Sequence, residues 1–212
     1  MIVVGEGEDQ EPPDDFLRKS VRDTVLNLLG DYRYLSKGYY VSLHAEENGC
    51  VVYPSVKNAL DVYRAPVFVE RLKKAGIDSP ELCVLRSPNP QNCVLVPLNP
   101  FSRNSAKLIT TESQYNRYFK SLSMDYHYPV VQVRVEGEVE EFEFYMGRTR
   151  KLGNGVFKKI YDLFGVPLGK ILAERIGNRI RPFYFMPMMK NEIDFDFLNE
   201  VLNENCMLCR KL

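Results

Sequence analysis

The chain carries no net charge and offers no long apolar run, and these two shortages exclude several classes of protein. Its 28 basic side chains balance 28 acidic ones, so it lacks the positive excess with which proteins hold nucleic-acid phosphates. No apolar stretch reaches the roughly 20 residues that a membrane-spanning helix needs. The N-terminus has neither the basic start nor the apolar centre of a secretory signal. We therefore expect a cytoplasmic protein that binds neither nucleic acid nor membrane.

Cysteine and histidine are also scarce. The five cysteines are Cys50, Cys83, Cys93, Cys206 and Cys209. An odd number in a chain without a secretory signal argues against a disulfide framework. Cys206 and Cys209 form a CxxC motif, but it follows a helical pattern, whereas a redox CxxC opens a helix whose N-terminus lowers the thiol pKa. A zinc site there would need two more ligands, and His44 and His127 are the only histidines. We expect no metal in this chain.

The common catalytic signatures are missing as well. The sequence contains no GxxxxGK[ST] phosphate loop, no GxGxxG after a strand, no GxSxG and no HExxH. The glycines of "GEGEDQ" follow the first strand, but the acidic residues beside them disfavour an anion site. No catalytic residue can be named from these patterns.

A regular alternation of strands and helices is present in the first sixty residues. Short apolar runs at 2–4, 24–30 and 50–54 predict strands. Ser36 can cap a helix that Gly49 closes, and Ser55 can cap a second helix that reaches about Tyr63. This order predicts a βαβ unit with parallel strands.

The pattern changes beyond residue 64. Residues 65–125 combine a helix with Pro/Asn-rich loops and one strand at 93–97. Residues 126–212 predict a hairpin over 130–146, a second hairpin turning at Gly177-Asn178, and amphipathic helices. The predicted fold is α/β: an N-terminal βαβ-type parallel unit (1–64), a connecting segment (65–125) and an α+β part with antiparallel hairpins (126–212). The three segments fold separately or form one compact domain.

One short loop concentrates residues suited to binding. It joins the second predicted strand to the following helix, and the residues that could contact a ligand are Arg33, Tyr34, Ser36, Lys37, Gly38, Tyr39 and Tyr40. In α/β proteins such a loop binds anions, because the free N–H groups and dipole of the helix point toward it. Two interpretations remain open: an anion site walled by tyrosines, or a tyrosine-rich helix cap packed on the sheet.

Two further charges lie outside this loop. Glu46 follows it on the predicted helix and could brace Arg33 through an ion pair. Arg148 follows a predicted strand, where it could meet an anionic ligand or act as an ordinary loop charge.

Two segments carry a family resemblance. "YRYLSKGYYVSLHAEENGCVVYPSV" resembles the signature YRYxSxGYYxSLxAExxGxxVxPS of the N-terminal domain that precedes RimK-like ATP-grasp ligases. "FEFYMGRTRKLGNGVFKKIYDLFGVPL" resembles the second half of that domain. The matching order and spacing extend over roughly two thirds of the chain. The resemblance adds Ser42, Glu46, Ser55 and Arg148 to the candidate ligand-binding residues by their place in the pattern.

The resemblance implies an accessory role. In this family the ATP-grasp part activates a carboxylate as an acyl phosphate, using ATP and magnesium, and then forms an amide bond. The present chain ends at Leu212 without a glycine-rich lid or an acidic magnesium cluster. We therefore expect a free-standing accessory domain that is not catalytic alone. It would bind or position a peptide or amino-acid substrate for a RimK-like ATP-grasp ligase partner, and ATP and magnesium would be bound by that partner.

Two alternatives belong to other functional classes. One is an enzyme in its own right, acting on a small peptide or anionic metabolite through Ser36, Tyr39, Ser42 and Glu46; no nucleophile–base pair is evident for it. The other is an interaction domain whose tyrosines belong to the core.

Overall fold

A computed structural model describes residues 1–98, 106–151 and 155–209, with side chains described as far as Glu204. The chain divides into two compact units, each built from separate segments. The first unit comprises Met1–Leu60, Glu143–Lys170 and Pro187–Leu212, and the second comprises Asp61–Phe142 and Ile171–Met186. Among the described residues, no helix has both the length and the apolar character required to cross a bilayer.

The N-terminal residues form the predicted parallel sheet with its helices. In chain order the elements are β1 (Ile2–Val4), α1 (Pro13–Phe16), β2 (Val25–Asn27), α2 (Lys37–Glu47), β3 (Val52–Tyr53) and α3 (Val56–Val62). The strand order is β1-β2-β3, and both pairings are parallel. The predicted βαβ arrangement is confirmed.

The first unit buries apolar side chains on both faces of this sheet. Val25 and Leu26 are neighbours on β2, so their side chains face opposite sides. Val25 packs in one core cluster with Val4 and Val41. Leu26 packs in another, whose other buried members come from later in the chain: Leu28, Tyr145, Met146, Leu168, Met188, Leu198 and Val201. The central strand is therefore fully covered, which fixes the loop that follows it.

The second unit is built on a four-stranded antiparallel sheet. Its elements are α4 (Ala65–Lys74), β4 (Leu82–Leu85), β5 (Cys93–Pro97), β6 (Lys107–Ile109), α5 (Glu112–Leu122) and β7 (Val130–Val133). The strand order is β4-β7-β5-β6. Tyr115, Phe119 and Leu122 of α5 pack against Cys93 and Leu95.

The remaining elements follow β7 along the chain. They are β8 (Glu138–Tyr145), α6 (Gly155–Phe164), β9 (Leu168–Ile176), β10 (Arg179–Met186), a 3-10 turn (Lys190–Glu192) and α7 (Phe195–Cys209). Strands β10-β9-β8 form a third sheet. The predicted β9–β10 hairpin with its turn at Gly177 is confirmed, and Pro182 lies on the edge strand. Cys206 and Cys209 lie on α7 beyond the described side chains, so the prediction about their CxxC motif lies outside the described residues.

The predicted hairpin over residues 130–146 is wrong. A bend does occur at Glu136-Gly137, but β7 and β8 belong to different sheets. The alternation of valines with polar residues predicts a strand with one solvent-exposed face. Gln132, the polar residue of that alternation, is instead 4% exposed and accepts a hydrogen bond from the hydroxyl of Tyr115 at 2.7 Å. A local pattern does not identify the partner strand when both faces are covered.

Candidate functional site

The loop between β2 and α2 is closed by a helix cap. Ser36 is the N-cap of α2, and its Oγ accepts a hydrogen bond from the Tyr39 amide at 3.1 Å. The same hydroxyl donates to the Asp31 carbonyl at 2.8 Å. One side chain therefore satisfies a free amide of the helix and ties down the start of the loop.

Arg33 forms its ion pair within the same loop. Its Nε and Nη2 donate to the two carboxylate oxygens of Asp31 at 2.9 and 2.7 Å, and its backbone amide donates to Asp31 Oδ1 at 3.1 Å. The expected pair between Arg33 and Glu46 is not formed. Glu46 lies too far along α2, where its Oε1 accepts from the Val56 amide at 2.8 Å and caps α3.

Glycine is required at position 38 because the backbone at Asp31 passes very close to it. A Cβ at this position would lie 2.2 Å from the Asp31 carbonyl oxygen, so any side chain would force the loop away from the first turn of α2. The backbone that approaches Gly38 this closely belongs to the same loop.

Beneath the loop lies a buried polar network, centred on Asn27 at the end of β2. Asn27 Nδ2 donates to the Gly38 carbonyl at 2.7 Å and to Ser42 Oγ at 3.0 Å. Ser42 Oγ donates to the Pro54 carbonyl at 2.8 Å. Asn27 and Ser42 have no exposed surface. The network joins β2, α2 and the residues after β3, so Ser42 serves the fold from a position closed to solvent.

Tyr32 completes this network from the loop side. It is fully buried, and its hydroxyl donates to the Asn27 carbonyl at 2.9 Å. Burial raises the pKa of Tyr32 above its ordinary value, so the hydroxyl keeps its proton and remains a donor. Sequence reasoning missed Asn27; its only signal was an amide at the end of the apolar run "TVLN".

Three tyrosines form an aromatic group at the α2 N-terminus, which we call the tyrosine cluster: Tyr34, Tyr39 and Tyr40. Tyr39 makes edge-to-face contacts with Tyr34 and Tyr40, with ring centroids 5.2 and 5.5 Å apart. Tyr34 and Tyr40 are 44% and 43% exposed. Lys37 lies in the same turn and pairs with Asp14 at 2.9 Å. The cluster exposes aromatic surface beside Leu35 and Lys37, which are exposed as well.

The other candidates lie elsewhere in the first unit. Ser55 Oγ accepts from the Asn58 amide at 3.2 Å, so Ser55 shares the first turn of α3 with Glu46. Arg148 follows a tight turn after β8 and forms an ion pair with Glu204 of α7. The structure thus brings the residues from Arg33 to Tyr40 together, places Ser42 beneath them, and gives Glu46, Ser55 and Arg148 contacts of their own. Ligand binding by these residues stays a prediction.

Each of the two histidines contacts a backbone carbonyl. His44 Nε2 lies 2.8 Å from the Lys19 carbonyl, and His127 Nδ1 lies 2.7 Å from the Met124 carbonyl. In the part of the chain that the structure describes, no group of three or more His, Cys, Asp or Glu side chains is placed to hold a metal ion.

Solved structures with a similar fold include a RimK domain ATP-grasp protein and two D-alanine-D-alanine ligases. A RimK domain protein ATP-grasp from Sphaerobacter thermophilus superposes with a TM-score of 0.61 at 11% identity, covering 94% of each chain. The D-alanine-D-alanine ligase from Helicobacter pylori gives a TM-score of 0.55 at 16% identity, covering 84% of this chain and 68% of that one. The ligase of the same name from Coxiella burnetii gives 0.53 at 12% identity and 81% coverage, and this chain spans 60% of its length. At such identities the likeness shows the fold alone.

Sequence comparison identifies the family. No curated protein matches the chain significantly. The family described as "RimK-like ATPgrasp N-terminal domain" matches residues 14–194. Because this match covers most of the 212 residues, the chain belongs to the RimK-like ATP-grasp N-terminal domain family.

Proposed function

We propose that this chain is a substrate-binding or positioning module that works in trans with a RimK-like ATP-grasp ligase, which joins a carboxylate to an amine. The module does not catalyse the reaction alone. Family membership over residues 14–194 supports the link to ATP-grasp proteins. The exposed tyrosine cluster is the observation that carries the proposal, because it offers an aromatic binding surface, whereas Ser36, Ser42 and Glu46 are used by the fold.

The hydroxyl and carboxylate groups of the motif argue against an independent enzyme. Ser36 Oγ is committed to the α2 cap, and Ser42 Oγ is buried and donates to a carbonyl. Glu46 caps α3 through the Val56 amide. A nucleophile must be exposed to its substrate and bonded to a base. These three residues instead hold the backbone beneath the tyrosine cluster in place.

The tyrosine cluster suits a peptide. Tyrosine combines a large apolar ring with a hydroxyl, and it loses little conformational entropy when it forms a contact. Edge-to-face packing of Tyr39 with both neighbours restrains the rings further. Arg33 and Lys37 are held at the same turn by Asp31 and Asp14, so the surface is framed by paired charges. We assign this surface to an extended segment of the peptide substrate.

ATP and magnesium belong to the ligase partner in this proposal. The described residues supply no metal-holding group, and we derive no nucleotide-dependent step from them. A cytoplasmic location is likewise part of the proposal.

A reconstitution assay tests the role. The chain is combined with a RimK-like ATP-grasp ligase from the same organism, and amide product is measured by mass spectrometry with and without the chain. We expect the chain to stimulate product formation and to yield none alone. The double substitution Tyr34→Ala/Tyr40→Ala should abolish most of the stimulation and leave the thermal unfolding temperature close to that of the wild type.

The matched control is Tyr126→Ala, because Tyr126 is a similarly exposed tyrosine, at 51%, in the second unit. Equal stimulation by the double variant and the wild type would overturn the assignment of the surface. Turnover by the chain in the absence of a ligase would overturn the accessory role and favour the independent enzyme.

A further inference from the structure

The second unit contains a polar cleft that lies apart from the motif in sequence. It has a volume of about 280 Å³ and is lined by Glu81, Arg134, Glu136 and Arg181. Glu81 precedes β4, and its carbonyl accepts from the Arg134 amide just after β7 at 3.0 Å. Pockets for drug-sized ligands have volumes of roughly 300–1,000 Å³. This cleft is thus of a size for a small metabolite.

Arg181, which lines the cleft, belongs to a built ion pair with Glu174. Glu174 has no exposed surface, and its Oε2 lies 2.7 Å from Arg181 Nη1. Its Oε1 accepts from the backbone amides of Glu136 and Gly137, the latter at 2.6 Å. Arg181 Nη2 also donates to the Ser79 carbonyl at 3.3 Å. These bonds fix the bend that presents Glu136 and hold the guanidinium of Arg181 against the cleft.

Two buried polar atoms, one on Arg181 and one on the neighbouring Ser79, are left without hydrogen-bond partners among the described residues. They are Arg181 Nε and Ser79 Oγ. Arg181 Nε lies 3.2 Å from Asp78 Oδ2, but the geometry is not that of a hydrogen bond. A buried donor without a partner costs free energy in a folded protein, so each such group calls for an explanation, a bound molecule being one.

Three charged side chains line the cleft without neutralising one another. Glu81, Arg134 and Glu136 are exposed, and no side-chain ion pair or hydrogen bond joins any of them to another described residue. Exposed charges in this state add little to stability. Since Arg181 is already paired with Glu174, the cleft presents two unpaired carboxylates and one unpaired guanidinium.

We propose that this cleft binds a free α-amino acid. Glu81 and Glu136 receive the ammonium group, and Arg134 receives the carboxylate, which a guanidinium can hold with two parallel hydrogen bonds. A simple anion meets two carboxylates here, and a simple cation meets Arg134, so a molecule with both charges fits best. The interpretation of the cleft as the site for an amine substrate rests on the proposed positioning role. The binding itself requires no ligase.

Calorimetric titration of the full chain with L-alanine and two analogues provides the test. L-Alaninamide lacks the carboxylate, and N-acetyl-L-alanine lacks the ammonium. We expect saturable binding of L-alanine and a loss of at least about tenfold in affinity for each analogue, since each leaves one charged group without its partner. Arg134→Gln should abolish the discrimination against the amide, and Glu136→Gln should reduce the discrimination against the acetylated form.

Arg86→Gln and Glu138→Gln are the matched controls, because both residues are exposed charges of the second unit outside the lining. They should leave the affinity unchanged. The proposal would be overturned if L-alanine gave no saturable binding heat, or if the analogues bound with the same affinity as L-alanine. It would also be overturned if the control variants lost as much affinity as Arg134→Gln and Glu136→Gln. Because the titration contains no ligase, amino-acid binding without stimulation would refute only the ligase role, and stimulation without binding would refute only the amino-acid site.

Discussion

The buried carboxylate of Glu174 should be the most sensitive charged position in the second unit. It accepts bonds from two backbone amides and from Arg181 Nη1, and it has no exposed surface. The substitution Glu174→Gln keeps the shape of the side chain and removes its charge. It also places an amide N–H₂ group against either the guanidinium or the two backbone amides, all of which are donors.

The expected loss in free energy of unfolding depends on which partners Arg181 keeps. Removing one partner of a fully buried ion pair costs roughly 3–5 kcal/mol. The Arg181 side chain is 18% exposed and lies 3.2 Å from Asp78, so part of that cost is relieved. One backbone amide facing a donor adds about 1 kcal/mol. We expect a loss of about 3 kcal/mol, a large share of the roughly 5–15 kcal/mol by which folded domains are stable.

Urea unfolding followed by circular dichroism and tyrosine fluorescence measures this loss. The wild type, Glu174→Gln, Arg181→Met and the double variant form a double-mutant cycle, in which the two residues should couple by about 1–2 kcal/mol. Glu138→Gln, an exposed carboxylate on β8, provides the control and should unfold like the wild type. A change below about 0.5 kcal/mol for Glu174→Gln, or strict additivity in the cycle, would refute the reasoning.

Three further outcomes follow from the described contacts. Ser42→Ala should cost about 1–3 kcal/mol, because it removes the hydroxyl that bonds the Pro54 carbonyl and one of the two acceptors of Asn27 Nδ2; a neutral result in urea unfolding would contradict the network. Cys83 is exposed, whereas Cys93 is buried and its pKa is raised by burial to about 12. Iodoacetamide should therefore modify Cys83 before Cys93 in the native chain, and mass spectrometry showing equal labelling of these two cysteines would contradict this. Burial favours a higher pKa for Glu192, but hydrogen bonds from Lys170 and a backbone amide outweigh it and hold the pKa below the ordinary 4.5. The stabilisation is thus present above that value and is lost as pH falls through the lowered pKa; Glu192→Gln should flatten this acid limb, and an unchanged limb would exclude the contribution.

Local signals predicted the N-terminal part of the fold well. Ser36 caps α2 as expected, and the three short apolar runs became parallel strands. Caps and apolar runs act within a few residues, so they can be recognised in a sequence without knowledge of the fold. Strand pairing cannot be recognised in this way, because it joins segments that lie far apart in the chain. The partner of β7 is β4 on one side and β5 on the other, and nothing near residue 136 in the sequence indicates this.

The candidate site shows the same limit. The sequence identified the motif residues, but their roles depend on the residues that the fold brings next to them. Asn27 donates a hydrogen bond to Ser42, and Arg33 pairs with Asp31 rather than with Glu46. The polar cleft gave no sequence signal, because its groups come from segments far apart in the chain. The bond between Arg181 and the Ser79 carbonyl spans 102 positions. Such a cluster exists only after folding.

The division into interleaved units has a consequence for how the chain is made. The chain passes between the units four times, after residues 60, 142, 170 and 186. The strand β2 leaves the ribosome well before Met188 and Leu198, which belong to the same core cluster as Leu26. The first sixty residues therefore wait, with one apolar sheet face uncovered, until these later segments have been translated. During that interval the nascent chain exposes a surface of the kind that chaperones recognise, and neither unit can be inherited or transplanted as one continuous stretch of gene.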